Sequence, residues 1–426
     1  MWRAGGGCEL MGRRFGWFLG AYGASALGTW LAFGAFPAIA VGVLHAGPAE
    51  VALLSSAAAL TGAAAALPLG AWAEHRRRRP VMVAADLVRC GALLTVPAGY
   101  ALGLLTLPWL LAVAALLAAA ETTFRAASGA YLRELLPGGE LLAANSRLEA
   151  ASWTATAIGP PLGGALAGLL GPVATVTADA VSYLLSALGL AASGRPEPGV
   201  ERRAGGGTGT GAGTGTGAGQ RWELFDGWRL ILADPVLRPL LLHTALFNGL
   251  VTATEPLLAV LMLGQLGFAP WQYGLAFALP SLGGLLGARL ARPLAARLGE
   301  HRVLLAAGAL RALWPLGLVL VGPGTGGLLL VTVVEGGLIV CCAVFNPLHA
   351  TWRLRRTAPG HTVRVLSAWS VTTRAATALL TAVWGVLGSL LGVRTALGLA
   401  GALVLATPLL LFLRGIRRAV SVSARP

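Results

Sequence analysis

The sequence predicts an all-α, polytopic membrane protein whose twelve transmembrane helices form two pseudo-symmetric six-helix bundles. Of its 426 residues, 56% are hydrophobic and only 12% are charged, which is more apolar sequence than a soluble fold of this size can bury. These apolar residues fall into segments of about 20 residues or more, the length that crosses a bilayer. A Gly/Thr/Ala tract from Ala204 to Gly219 has little to bury and separates the segments into two halves.

The segment lengths define twelve predicted spans and four regions of the chain. No cleavable signal peptide is expected, because the first apolar segment is too long and runs directly into the second. The stretch Trp222–Leu232 is interpreted either as an amphipathic helix on the inner leaflet or as plain linker. The regions are a first bundle (1–193), a cytoplasmic linker (194–235), a second bundle (236–416) and a cytoplasmic tail (417–426). The predicted spans are 16–44, 49–72, 80–103, 108–133, 141–170, 172–193, 237–264, 270–297, 302–321, 327–352, 362–391 and 393–413.

All 32 basic side chains are arginines, and their distribution predicts the orientation in the membrane. The loops on one side carry nearly all the loop arginines, whereas the opposite loops offer only Arg394. By the positive-inside rule, both termini and the linker are cytoplasmic, in a multi-pass protein of the inner (plasma) membrane. The net charge of +15 then reflects topology and contact with anionic lipid, and no nucleic-acid partner is expected. The arginines of the cytoplasmic side are Arg13, Arg14, Arg76 to Arg79, Arg133, Arg195, Arg202, Arg203, Arg221, Arg297, Arg302, Arg353, Arg355, Arg356, Arg417 and Arg418.

The residue types argue against enzymatic chemistry. Without lysine, the chain has neither a P-loop lysine nor a Schiff-base lysine. The cysteines, including the adjacent Cys341 and Cys342, lack the spacing of metal ligands and are interpreted as packing residues. His243 and His349 lie near predicted span ends and are interpreted as interfacial. We therefore expect no enzyme, no catalytic residues, no cofactor and no metal site.

The two halves resemble each other in sequence. The stretch Ala73–Arg89 matches Ala295–Arg311 at a constant offset, and Gly164–Gly171 matches Gly385–Gly392 one residue away from that register. Two six-span repeats joined by a cytoplasmic linker are the architecture of a transporter that rocks about a site between its halves. The matching pairs of the first stretch are Ala73/Ala295, Val81/Val303, Ala84/Ala306, Ala85/Ala307 and Arg89/Arg311.

The loop after the second span carries a family resemblance. The sequence Gly70–Arg79 resembles the signature loop of the major facilitator superfamily (MFS), with Trp72, Glu74 and Arg77 in place of the usual leucine, aspartate and glycine. A carboxylate at a helix end can bind the N-terminus of a neighbouring helix in one conformation and release it in another. The alternative is a stop-transfer run of charge. The predicted switch residues are Gly70, Glu74, Arg78, Arg79, Asp86 and Arg89, of which Asp86 and Arg89 are interpreted as an intrahelical pair.

The fifth span contains a glycine and proline motif. Gly159, Pro160, Gly163 and Gly164 permit close backbone approach and a kink. Their spacing is similar to the antiporter motif of MFS drug exporters, with Ala155 in place of its first glycine. The resemblance favours export over uptake, and ordinary tight packing is the alternative.

The resemblance extends from about Phe15 to Leu413 and includes Ala84–Arg89, Asp179–Ser186 and Asp234–Arg238. Together these segments look like the exporter branch that contains macrolide-efflux and enterobactin-export permeases. The resemblance implies an MFS fold, a monomer and multidrug-type efflux, and it identifies no substrate.

Charged residues within the spans are the candidates for coupling, because placing them there costs a few kcal/mol and requires a partner or an aqueous cavity. Glu121 lies in the fourth span, with Arg125 one turn later on the same face. The segment Arg125–Gly129 partly resembles the fourth-span arginine motif of the family, whose first and fourth spans line the cavity. The resemblance implies that Glu121 and Arg125 form a proton-coupling pair.

The second half adds three more candidates. Glu255 lies in the seventh span and Glu335 in the tenth, and Arg374 in the eleventh could pair with Glu335. The alternative for each is a static ion pair that holds helices together. Asp179 in the sixth span is interpreted as structural.

Polar and aromatic residues suggest the substrate class. An apolar, aromatic pocket with a few polar groups suits an amphipathic compound, and the candidates for it are Trp153, Asn248, Asn346 and Trp369. The main hypothesis is a secondary active exporter of small amphipathic molecules, of drug, antibiotic or siderophore type, driven by proton antiport through alternating access. The alternative is an uptake permease or a transport-silent sensor of the same fold. The expected partners are protons, the substrate and the lipid bilayer.

Overall fold

A computed structural model describes residues 5–74, 76–135, 141–193, 227–357 and 362–412, and all regular structure in these ranges is helical. Most of the predicted linker and the whole predicted tail lie outside the described residues. The helices of the first half are α1 (Gly5–Leu31), α2 (Ala35–Gly42), α3 (Pro48–Glu74), α4 (Arg78–Ala101), α5 (Leu107–Leu135), α6 (Leu141–Leu170) and α7 (Pro172–Ala192). Those of the second half are α8 (Leu237–Ala259), α9 (Pro270–Leu298), α10 (Glu300–Leu313), α11 (Gly324–Arg356), α12 (Thr362–Leu391) and α13 (Val393–Ala406).

The helices confirm the predicted membrane fold. Within the described ranges, eleven helical segments are long and apolar enough to cross a bilayer. The remaining predicted span, 141–170, is formed by α6, a helix of 30 residues. Three spans continue past the end of their α-helix in tighter or wider turns, namely Val260–Gln265 after α8, Trp314–Leu320 after α10 and Thr407–Phe412 after α13.

Glycine sets the sharp turns between consecutive spans. Gly171 and Gly392 precede α7 and α13 with φ of +86° each, and Gly299 precedes α10 with φ of +87°. A side chain with a Cβ rarely adopts this left-handed region, so glycine is required at these turns. Gly171 and Gly392 are also paired by the sequence repeat, and they perform the same structural role in each half.

The chain forms two compact units. The first contains Met1–Glu201 and Ala259–Leu279, and the second contains Arg202–Leu258 and Pro280–Pro426. The stretch Ala259–Leu279 therefore groups with the first unit, although it lies within the predicted second bundle. The predicted domain boundaries stay a prediction.

Each unit has its own core, and the repeat pairs occupy equivalent places in them. Val81 and Ala85 are buried in the first core, where the rings of Phe18 and Tyr131 meet edge to face at 5.4 Å. Val303 and Ala307 are buried in the second core, beside Leu240, Phe345 and Trp369.

A short helix at residues 227–233 corrects one interpretation. Its Trp228 donates from Nε1 to Thr372 Oγ1 at 2.8 Å, and Ile231 is fully buried. A Cβ on Gly227 would overlap the carbonyl oxygen of Arg364. The described part of Trp222–Leu232 is thus packed into the second core by its apolar face, and the idea that it lies on the leaflet surface is wrong.

Candidate functional site

Four charged side chains of the first unit form one chain of ion pairs. Arg89 on α4 contacts Asp86 through Nη2 and Glu121 on α5 through Nη1, the latter at 2.5 Å from Oε2. Arg125 donates from Nε to the other carboxylate oxygen of Glu121, Oε1, at 2.7 Å. The predicted pairs Asp86–Arg89 and Glu121–Arg125 both form, and the contact between Arg89 and Glu121 joins them into a single network.

Exposure increases along this network. The side chain of Asp86 is 0% exposed and that of Arg89 is 1% exposed, whereas Glu121 is 37% and Arg125 is 68% exposed. Ser186 on α7 donates its hydroxyl to the second oxygen of Asp86 at 2.6 Å. The network thus contains two carboxylates and two guanidinium groups, and Glu121 is the more exposed of the two acids.

Aromatic rings hold the Arg89 guanidinium in place and connect it to α1. Its Cζ lies 4.2 Å from the ring centroid of Tyr183 and 4.7 Å from that of Phe124. Tyr183 shares a hydrogen bond of 2.8 Å with Thr29 of α1. A change in the charge balance at Arg89 can therefore act on α1, α4, α5 and α7 together.

Arg311 occupies the position in the second unit that Arg89 occupies in the first. It is 1% exposed, and its Cζ lies 3.8 Å from the ring of Phe247 and 3.6 Å from that of Phe345. Its Nη2 lies 2.7 Å from Nε2 of His243, and it also hydrogen-bonds the thiol of Cys342. No carboxylate forms an ion pair with Arg311 among the described residues.

The tautomer of His243 follows from its two partners. Its Nδ1 lies 3.0 Å from the carbonyl oxygen of Thr407, which can only accept a hydrogen bond. Nδ1 therefore carries the proton, and Nε2 accepts from Arg311, which makes this imidazole neutral.

The interpretation of His243 and His349 as interfacial is wrong, because they are 0% and 6% exposed inside the second unit. The assignment of Cys342 to packing alone is also incomplete, since it contacts a buried guanidinium.

The acidic pair of the second unit is Glu255 on α8 and Glu335 on α11. Their carboxylates interact electrostatically with each other, Glu255 is exposed and Glu335 is partly exposed. Glu335 and the exposed Arg374 form no ion pair in the described part of the chain, so their suggested pairing is not found.

The glycines of the fifth-span motif are points of close backbone approach within the first unit. A Cβ on Gly163 would overlap the carbonyl oxygen of Leu31, at the end of α1, and one on Gly159 would lie 2.5 Å from Cβ of Trp30. A Cβ on Gly164 would lie 2.9 Å from Cα of Trp271. Pro160 contributes through its carbonyl oxygen, which lies 2.5 Å from where a Cβ on Gly274 would stand. These positions demand glycine because backbone, which cannot move aside, occupies the space.

The predicted switch loop is partly described. Arg79 donates from Nε to the carbonyl oxygen of Leu190 at 2.6 Å and also contacts that of Ala191, so it caps the C-terminal end of α7. Arg78 is half-buried at the start of α4. Gly70 and Glu74 lie in the last turns of α3. The surroundings of these two residues lie outside the described part of the structure, so the contact of Glu74 with the N-terminus of a neighbouring helix stays a prediction.

The predicted substrate residues divide into two groups. Trp153 is 42% exposed, and Asn248 and Asn346 are also exposed. Trp369 is only 4% exposed, because it packs between His349, with ring centroids 5.4 Å apart, and the guanidinium of Arg353 at 4.8 Å. Trp369 is therefore a core residue in this structure.

Within the described ranges, no group of three or more His, Cys, Asp or Glu side chains is arranged to hold a metal ion.

Comparison with known proteins agrees with this architecture. The family model of the Major Facilitator Superfamily matches residues 18–341. No curated protein sequence matches the chain. The solved structure of the nucleoside transporter NupG aligns with a TM-score of 0.72 at 11% identity, covering 94% of this chain and 97% of that one.

Two further structures align over similar lengths. A POT family transporter in complex with 5-aminolevulinic acid gives a TM-score of 0.70 at 12% identity, covering 95% of this chain and 96% of that one. A bacterial homologue of the human lysosomal transporter Spinster gives 0.64 at 15% identity, covering 96% of each chain. At these identities the alignments establish the fold, and with the match to the family model they lead to one conclusion: the chain belongs to the Major Facilitator Superfamily of membrane transporters.

Proposed function

We propose that this transporter exports small amphipathic molecules in exchange for protons, and that Glu121 is the group that couples the two movements. The observation that carries the proposal is the position of Glu121 between the buried Arg89 and the exposed Arg125. Glu121 is the less buried of the two acids that pair with Arg89, and its charge balances a guanidinium that is almost fully buried.

Protonation of Glu121 removes the charge that both arginines contact. Charge-assisted hydrogen bonds are about twice as strong as neutral ones, so both contacts weaken when the carboxylate becomes neutral. Of its two ion pairs within the described residues, Arg89 then keeps the one with Asp86. A conformation that solvates or pairs Arg89 differently becomes relatively more stable, and each 1.4 kcal/mol of difference shifts a two-state equilibrium about tenfold.

Glu255 and Glu335 provide a second place for a proton in this proposal. Because Glu335 interacts electrostatically with Glu255 and neither forms an ion pair within the described residues, binding one proton would relieve the repulsion between them. The first unit has a balanced network and the second has an acidic pair, so they respond differently to the same change in proton concentration. A cationic group on an amphipathic substrate would satisfy the acidic pair in the same way as a proton.

The direction of transport rests on the motif at Gly159–Gly164. Its resemblance to the antiporter motif of MFS drug exporters favours export, and its glycines pack against backbone of α1 and of the start of α9. Helices in such close contact form a tight seam without side chains in the gap. In the proposed cycle this seam opens when the loaded transporter changes its conformation.

An accumulation assay tests the proposal. A sensitive host that produces the full chain is exposed to a panel of amphipathic dyes and antibiotics, with and without a protonophore. We expect lower accumulation of some compounds, no difference once the protonophore collapses the gradient, and loss of export in Glu121→Gln at unchanged protein level. Glu50→Gln is the matched control, because Glu50 is an exposed carboxylate whose one hydrogen bond within the described residues comes from the backbone N–H of Gly47, at 2.7 Å.

The other outcomes distinguish the alternatives. Equal accumulation of every compound in cells with and without the chain would overturn export and favour a transport-silent sensor. Higher accumulation with the chain would favour an uptake permease. Normal export by Glu121→Gln would remove this residue from the coupling step while leaving export itself in place.

A further inference from the structure

A cavity lies at one end of the second unit, between the start of α10 and the end of α11. Its volume is about 320 Å³, roughly ten times the share of one water molecule in the liquid. It is lined by Glu300, His301, Leu304, Trp352, Arg355 and Arg356. None of these residues belongs to the coupling networks described above.

The charges in this cavity leave one arginine without an acidic partner. Arg355 pairs with Glu300 through Nη1 and Oε2 at 2.8 Å, and the two side chains are 61% and 51% exposed. Arg356 lies over the ring of Trp352, 5.9 Å from its centroid, and forms no ion pair within the described residues. The cavity therefore carries a net positive charge from two guanidinium groups and one carboxylate.

We propose that this cavity binds a phosphate group, carried either by an anionic phospholipid or by a soluble phosphate. Arginine recognises phosphate through paired N–H donors, and no carboxylate of the described residues forms an ion pair with Arg356. Arg355 is available as a second donor, because an ion pair as exposed as the one it forms with Glu300 is weak and exchanges readily.

The position of the cavity relative to the spans suits a lipid headgroup. Helix α11 ends at Arg356, and Arg353, Arg355 and Arg356 all lie in its last turn, so these arginines are at the charged end of a membrane-spanning helix. Arginine and tryptophan are typical of the depth at which headgroups lie. Leu304 and Leu348 line the same cavity and offer an apolar wall to the start of an acyl chain. Basic pockets between transmembrane helices bind anionic headgroups in this way.

Thermal unfolding of the purified full chain in detergent tests the proposal. The probes are a short-chain phosphatidylglycerol, a diacylglycerol of the same acyl chains, which lacks the phosphate, and inorganic phosphate. We expect the phosphatidylglycerol to raise the Tm in a concentration-dependent manner and the diacylglycerol to leave it unchanged. In Arg356→Gln the apparent affinity falls about tenfold or more, because a charge-assisted contact is lost.

Arg297→Gln is the matched control, since Arg297 is an exposed arginine at the end of α9 that does not line the cavity. Stabilisation by inorganic phosphate equal to that by the lipid, and equally sensitive to Arg356→Gln, would assign the site to a soluble phosphate. Stabilisation by the lipid alone would assign it to a headgroup. The proposal would be overturned if neither phosphatidylglycerol nor inorganic phosphate changed the Tm. It would also be overturned if Arg356→Gln and Arg297→Gln lost affinity equally.

Discussion

Arg89 and Arg311 occupy equivalent positions in the two sequence repeats, and each guanidinium is 1% exposed between two aromatic rings. Their polar partners differ. Arg89 forms ion pairs with two carboxylates, one of which is partly exposed, whereas Arg311 contacts a neutral imidazole and a thiol. Protonation of a carboxylate would therefore alter the surroundings of Arg89, while Arg311 forms no ion pair with a carboxylate of the described residues.

The first prediction concerns removal of the Arg89 guanidinium. Arg89→Leu leaves Asp86 fully buried without its counter-charge, and breaking a buried ion pair costs about 3–5 kcal/mol. We expect a large fall in Tm and in the yield of folded protein, measured by fluorescence-detected size exclusion after heating in detergent. Arg125→Gln removes a contact of the same network that is 68% exposed, and its expected cost is below about 1 kcal/mol. Similar Tm values for the two variants would contradict this burial gradient.

The second prediction follows from the acceptor role of His243. In His243→Leu, Nη2 of the buried Arg311 loses the acceptor Nε2 of His243, which lies 2.7 Å away. A buried donor without an acceptor lowers the free energy of unfolding by about 1–3 kcal/mol, and by more when the donor is charged. His243→Gln keeps a side-chain oxygen that can accept from the guanidinium, so we expect it to lose clearly less stability than the leucine variant. The readout is again the Tm in detergent. A glutamine variant as unstable as the leucine variant would show that the shape of the imidazole, and not its acceptor, matters here.

Sequence reasoning recovered the spans closely, because bilayer thickness fixes their length and glycine marks their turns. The predicted span 362–391 coincides with Thr362–Leu391, and the Glu121–Arg125 pair followed from spacing along one helix. The contact between Arg89 and Glu121 joins residues 32 positions apart, and that between Arg311 and His243 joins residues 68 apart. Such contacts depend on how helices are rotated against each other, which a single sequence does not encode in any local pattern. The repeat alignment of Arg89 with Arg311 was the one available signal for the second network.

The third prediction tests the glycine seam of α6. Gly163→Ala places a methyl group on the carbonyl oxygen of Leu31, where backbone must move, and overpacking of this kind costs about 1–3 kcal/mol. We expect loss of transport together with reduced Tm. Gly168→Ala is the control in the same helix, because its nearest neighbour is a side-chain atom of Trp271 at 3.4 Å. If both alanine variants transport equally well, the seam at Gly163 does not require close backbone approach.

The last prediction uses the acidic pair of the second unit. Glu255 and Glu335 lie in the membrane spans formed by α8 and α11, and neither forms an ion pair within the described residues. A carboxylate without a partner is costly in such a position. Glu335→Gln keeps the shape of the side chain and removes the ionisable group, so we expect it to raise the Tm of the protein.

The measurement is the Tm in detergent, with Glu50→Gln as the control for loss of a carboxylate at an exposed site. Arg374→Gln provides a second comparison. Because Arg374 forms no ion pair with Glu335, its substitution is expected to leave the Tm unchanged. A Tm raised by Arg374→Gln and not by Glu335→Gln would contradict the prediction, since it would place the costly unpaired charge on α12 instead.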